Sequence, residues 1–103
     1  MIKVTVLYPY GANAKFNMDY YVTKHMPMVR QKFGAACKGI AVDQGVAGGT
    51  PGAPPSFVAM GHLLFDSVEA FQKAMAPHAA EVMADVANYT SIEPVLLISE
   101  VKM

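Results

Sequence analysis

The chain has 103 residues, 53% of them apolar and 16% charged, with eight basic and eight acidic side chains that cancel. That length implies one domain, residues 1–103, and the balanced charge leaves no basic stripe to neutralise phosphates, so nucleic acid is not an expected partner. Cys37 stands alone, which excludes an internal disulfide or a thiolate zinc site, and the longest apolar run near the C-terminus, Pro94 to Ile98, is far short of the ~20 residues a membrane span needs.

No leader-like segment precedes the first strand signal, so a reducing, cytoplasmic setting is the expectation. Ile2, Val4, Val6 and Tyr8 alternate with Lys3, Thr5 and Leu7, the period of a strand, which Pro9 and Gly11 end. Asn17 is placed to cap a helix and Asp19 to complement its dipole. Met18, Tyr21, Val22, His25, Val29 and Phe33 then recur at spacings of three and four, on one helical face, with Pro27 expected to break or kink the helix near His25 and Gly34 to close it. A weaker strand is expected over residues 36–46, and a loop over 45–55, which holds four glycines and three prolines. Residues 56–66 read as a strand that is apolar on both faces. Ser67 caps a helix whose stripe is Phe71, Ala74 and Met75, and Pro77 restarts a second helical stretch with Ala79, Val82, Met83 and Val86 on one side. Residues 92–103 form a last strand.

The order β-α-β-β-α-β is the split βαβ plan of an α+β, ferredoxin-like domain, in which two helices cover only one face of a four-stranded antiparallel sheet. The third and fourth strands carry apolar residues on both faces, so the helix-free face needs a cover. A second copy is the simplest one, giving a homodimer across an interface of about 1,600 Å².

Among residues able to do chemistry, His25 is the sharpest candidate. It sits on the apolar helical face one turn after Tyr21, where an imidazole can act as general base or acid or ligate a haem iron. Equally, it can stitch the kink by donating to a carbonyl freed by Pro27. Asp85 lies near a helix C-terminus, where an acid opposes the dipole and needs a partner. That partner is either His25, oriented as in catalytic dyads, or, together with Asn88, the backbone of the following turn. His62 alternates with Met60 and Leu64 and reads as a hydrogen-bonded core or interface residue; His78 follows Pro77 and reads as solvated. The three histidines have no metal-ligand spacing, so no metal is expected. Tyr8, Tyr20, Tyr21 and Tyr89 supply phenols, with Tyr20 off the buried face. Met18, Met28, Met60, Met75 and Met83 suit a deformable apolar pocket between helix and sheet. Gly45-Val46-Ala47-Gly48-Gly49 precedes a strand rather than a helix, so it offers no phosphate site.

Several of these segments together resemble the EthD family: Tyr8-Pro9, Phe16-Asn17-Met18-Asp19-Tyr20-Tyr21, His25-Met26-Pro27, Ala84-Asp85-Val86-Ala87-Asn88-Tyr89-Thr90 and Pro94-Val95. The resemblance runs from the first strand to the last; one departure is Asn17, where the family commonly has an acid. It implies a dimeric α/β barrel, two sheets closed on each other with helices outside. It also implies a link to ether degradation beside a haem-thiolate monooxygenase system and the label oxidoreductase, in a superfamily that includes cofactor-free monooxygenases, haem enzymes, isomerases and cyclases. The expected function is therefore oxidation or isomerisation of a small apolar molecule without a cofactor. His25 would be the base and Asp85 its partner, with Tyr8, Met18, Tyr21, Met60, His62, Met83 and Asn88 around the substrate. The alternative is a dimeric carrier that hands a hydrophobic intermediate to a partner oxygenase.

Overall fold

A computed structural model describes all residues, 1–103. Four strands, β1 (Ile2–Pro9), β2 (Gly39–Gln44), β3 (Phe57–Phe65) and β4 (Val95–Glu100), form one antiparallel sheet in the order β2-β3-β1-β4. All helices lie on one face, and the shortest principal dimension, 19 Å, is that of a single helical layer on a single sheet. This is the ferredoxin-like α+β architecture that the element order implied. No helix is long and apolar enough to cross a membrane.

The first helical rod runs through α1 (Met18–Tyr20), a π-helical turn (Tyr21–His25) and α2 (Met26–Phe33). Asn17 caps it, its side-chain oxygen accepting from the Tyr20 N–H at 3.0 Å. Of the break or kink expected near His25, the rod shows no break but a local disturbance of its ladder. The ladder opens to i→i+5 bonding just before the proline, with the Met26 N–H donating to the Tyr21 carbonyl, and α-helix resumes. The extra residue in that turn rotates the downstream part of the rod about its axis. Val22, expected on the buried face, is 43% exposed, whereas Met26 is buried. Gly34 ends the rod at φ 59°, a left-handed conformation open to glycine.

After Gly34 a 3₁₀ turn over Gly34–Ala36 delays β2, so that strand is shorter than the sequence suggested, as is β4. Ser67 caps α3 (Val68–Met75) through a 3.1 Å bond accepted from the Ala70 N–H. The chain then enters α4 (Ala79–Asp85), which passes into a 3₁₀ turn over Val86–Asn88. Facing α2, α3 and α4, the sheet contributes Val4, Tyr8, Ala59, Leu63 and Phe65 to the core, and Phe65 meets Phe33 and Phe71 edge-on with centroids 5.7 and 5.3 Å away.

Strand register divides the remaining residues cleanly. Val4 pairs with Leu63 and Ile98, and Val6 with Gly61 and Leu96, on the helical side. Thr5 pairs with His62 and Leu97, and Leu7 with Met60 and Val95, on the other side, which no helix covers. On β4, Val95, Leu96, Leu97 and Ile98 are all more than a third exposed.

Candidate functional site

Three local features bring the end of α4 against the π turn. Phe16 and Thr90 form an isolated antiparallel bridge, the Asn17 N–H donates to the Tyr89 carbonyl at 2.7 Å, and the Thr90 hydroxyl donates to the Lys15 carbonyl at 2.6 Å. The start of the first rod and the end of the last helix are thus one hydrogen-bonded unit. It places Asp85 and Tyr89 on either side of His25.

His25 is 4% exposed. Its Nδ1 lies 2.8 Å from Asp85 Oδ2, and its Nε2 lies 3.4 Å from the Tyr89 hydroxyl, which is itself 2.7 Å from the Tyr8 hydroxyl. The other Asp85 oxygen, Oδ1, accepts from the Tyr20 hydroxyl at 2.7 Å and from the Asn88 side-chain N–H at 2.9 Å. Desolvation acts to raise the Asp85 carboxyl, but the hydrogen bonds from Asn88, His25 and Tyr20, with the His25 charge, outweigh it and hold the group below the usual carboxylate range. An ionised carboxylate only accepts, so Nδ1 carries a proton and Nε2 faces the Tyr89 hydroxyl. The π turn is what aims His25 this way, with its ring stacked at 13° on that of Tyr21.

Tyr8, Tyr21 and Tyr89 are all buried, and burial foremost pushes each phenol far above its ordinary value. Tyr8 is raised further by its hydrogen bond with Tyr89, and Tyr21 by the neighbouring Tyr8 phenol. The phenols are therefore neutral, and the Tyr8–Tyr89 pair leads to His25 Nε2. Tyr20 is also raised, chiefly by its bond to Asp85.

These groups close one end of a cavity of about 160 Å³ between the helices and the sheet, with fifteen hydrophobic residues among the seventeen that line it. Tyr8, Tyr21, His25, Met83 and Tyr89 are in that lining, as are Met75, Val86 and Leu96. The remaining sequence candidates lie elsewhere. Met18 packs beside Phe16 and Tyr10 in a separate groove. Asn88 is exposed and acts on Asp85 from outside. Met60 and His62, expected in the pocket between helix and sheet, are on the opposite face, because they alternate with Ala59, Gly61 and Leu63, which face the helices. There His62 Nε2 lies 2.8 Å from Asp43 Oδ2 and Nδ1 lies 3.2 Å from the Thr5 hydroxyl. His25 makes no bond to a backbone carbonyl; its two partners are Asp85 and Tyr89, and Tyr20 belongs to the site as the second donor to Asp85. Haem does not fit, because a cavity of about 160 Å³ is far too small for a porphyrin. No three His, Cys, Asp or Glu side chains converge.

An Asp–His–Tyr–Tyr chain of close polar contacts beside an apolar cavity, set in a ferredoxin-like α+β domain, defines the candidate site of this small protein. Residues 11–93 match the EthD domain, and the chain belongs to the EthD family. It is 35% identical over 96 residues to an uncharacterised 11.0 kDa protein of the thcB–thcC intergenic region of Rhodococcus erythropolis, covering 88% of this chain and 85% of that one. The crystal structure of an EthD-like protein from Ralstonia eutropha superposes with a TM-score of 0.95 at 52% identity, covering 99% and 92% of the two chains. A dimeric ferredoxin-like protein of unknown function from Thermobifida fusca shares the fold at 14% identity, with a TM-score of 0.58 and coverage of 97% and 90%.

Proposed function

We propose that this protein is an acid–base catalyst of small-molecule catabolism, working without a cofactor on a compact apolar compound in the cavity beside His25. In this reading, Nε2 of His25 takes a proton from an acidic C–H or O–H of the substrate. Asp85 balances the imidazolium and Tyr89 donates to the oxygen on which negative charge develops. Return of the proton to a different atom completes an isomerisation; reaction of the carbanion with dioxygen is the oxidative variant. The observation that carries the reading is the His25 geometry, with Nδ1 tied to a carboxylate held below its usual range, Nε2 facing the Tyr89 hydroxyl, and both His25 and Tyr89 in the cavity lining.

The working form in this proposal is a homodimer. Support comes from the helix-free face, where Leu7, Met60, Leu64, Val95 and Leu97 form an apolar surface, and from the dimeric description of the Thermobifida fusca protein. Sedimentation of the purified protein at micromolar concentration tests this, and a monomer there would end the barrel reading. For the chemistry, wild type and His25→Gln are compared on a panel of small neutral compounds for isomerisation and for oxygen uptake. Turnover by the wild type that is lost in His25→Gln is the expected result. Binding without turnover in both would make the protein a carrier for a partner oxygenase.

A further inference from the structure

The cavity is selective in three ways that together define a ligand class. Its volume, about 160 Å³, matches the ~150 Å³ of apolar cavities that take one benzene-sized molecule. No lysine or arginine lines it, so an anionic ligand would be buried without a countercharge and near the Asp85 carboxylate. Its polar atoms are gathered at one end, and apart from the imidazole lone pair they are the hydroxyls of neutral phenols.

Within that end, the bonds are unequal. Tyr8 and Tyr89 are 2.7 Å apart, a tight bond, whereas Tyr89 and His25 Nε2 are separated by 3.4 Å, at the long limit of a hydrogen bond. The long one is the cheap one to exchange. An acceptor oxygen arriving from the cavity takes the Tyr89 hydrogen and leaves Nε2 facing the atoms next to that oxygen.

Resting on the acid–base reading above, we propose that the substrate is a neutral ketone of about one-ring size. Its oxygen would be received by Tyr89 and an α-hydrogen presented to His25 Nε2. The step is an enolisation. The α C–H bond breaks and its proton joins Nε2. The released pair forms the C=C bond, the carbonyl π pair moves onto oxygen beside the Tyr89 hydroxyl, and the imidazolium returns the proton to carbon, with no net oxidation or reduction.

The test uses ligand-observed NMR titration of the intact protein with four probes: cyclohexanone, methylenecyclohexane, 2-decalone and the anionic ketone 2-oxobutanoate. Cyclohexanone is expected to bind and to shift the His25 and Tyr89 ring signals. The two-ring ketone should bind at least about tenfold more weakly and the anion at least about 100-fold more weakly. Tyr89→Phe should weaken cyclohexanone by about five- to tenfold and leave methylenecyclohexane unchanged, since only the ketone loses a hydrogen bond. Equal binding of the anion, equal binding of 2-decalone, or no binding of cyclohexanone would each overturn the ligand class, and none of these arms depends on a variant folding. Exchange of α-hydrogens for deuterium, present in wild type and lost in His25→Gln, reports on the base separately. Selective binding without exchange supports the ligand class and retires the acid–base reading. Exchange of 2-oxobutanoate as fast as cyclohexanone does the reverse.

Discussion

A histidine–aspartate pair lies on each side of the sheet, one held by helical segments and one by strands, and both are closed at 2.8 Å. On the helical side, the His25 and Asp85 side chains are 5% and 18% exposed; on the other side, His62 and Asp43 are 20% and 58% exposed. The difference lies in the surroundings of each carboxylate. Asp85 has two further donors, Tyr20 and Asn88, on its second oxygen, while Asp43 makes no side-chain hydrogen bond beyond His62. The distal nitrogen differs as well. His25 Nε2 meets a phenol at the end of a cavity, and His62 Nδ1 meets Thr5 on its own sheet face. Identical pair distances thus coexist with different chemical capacity. In the proposed function the extra donors and the enclosure make the inner pair the base, while the open pair lies on the face proposed to be covered by a second copy.

The most direct way to break this contrast is to neutralise each aspartate in turn. In Asp85→Asn, the amide oxygen is claimed by Tyr20 and Asn88, so its N–H donates to His25 Nδ1 and drives the proton to Nε2. The base is then lost, and turnover should fall by about 10²- to 10⁴-fold. Asp43→Asn should leave turnover within about twofold, since exposed polar changes away from a site seldom matter. A fall in both would mean that the two faces are coupled. The second prediction addresses the open face itself. Leu97→Lys places a cation beside Thr5 and His62, and if a twin sheet covers that surface, dimer affinity measured by sedimentation should drop at least about 100-fold. His25 chemistry within each protomer would survive.

Much of this arrangement was legible in the chain, and the features that escaped did so for specific causes. The β1 alternation and the caps at Asn17 and Ser67 are local, so the sequence reading located both helices and the sheet plan that the EthD match and the solved relatives share. The π turn was not legible: Pro27 signals a disturbance but does not say whether the rod breaks or gains a residue, and hence Val22 and Met26 exchanged places. Met60 and His62, expected around the substrate, lie on the side of β3 away from the cavity, and the strand holds a signal for that side. Ala59 and Gly61 are the small residues that let helices approach, which puts their neighbours on the other face. Tyr20 escaped because its role depends on where α4 ends in space, a tertiary fact with no local trace.

Gly61, one residue before His62, sharpens the same contrast from within a single strand. A Cβ there would collide with the Tyr21 hydroxyl, so Gly61→Ala should displace Tyr21 and cost about 1–3 kcal/mol in urea unfolding. The smallest effect isolates the donors to Asp85. Asn88 is exposed and its bond to Oδ1 is 2.9 Å, so Asn88→Ala should lower stability at pH 7 by no more than about 1 kcal/mol. Its sign with pH is the informative part. Because the folded Asp85 pKa lies below the unfolded value of 3.8, the stabilisation is fully present above that value and is lost as pH falls through the folded pKa. Removing a donor moves the folded pKa back up towards 3.8. The variant should therefore be less stable than wild type at neutral pH, lose less on acidification, and converge with wild type once both carboxyls are protonated. A deficit that stays constant down to about pH 2 would assign Asn88 to turn geometry alone and leave Tyr20 and His25 as the groups that hold Asp85 ionised.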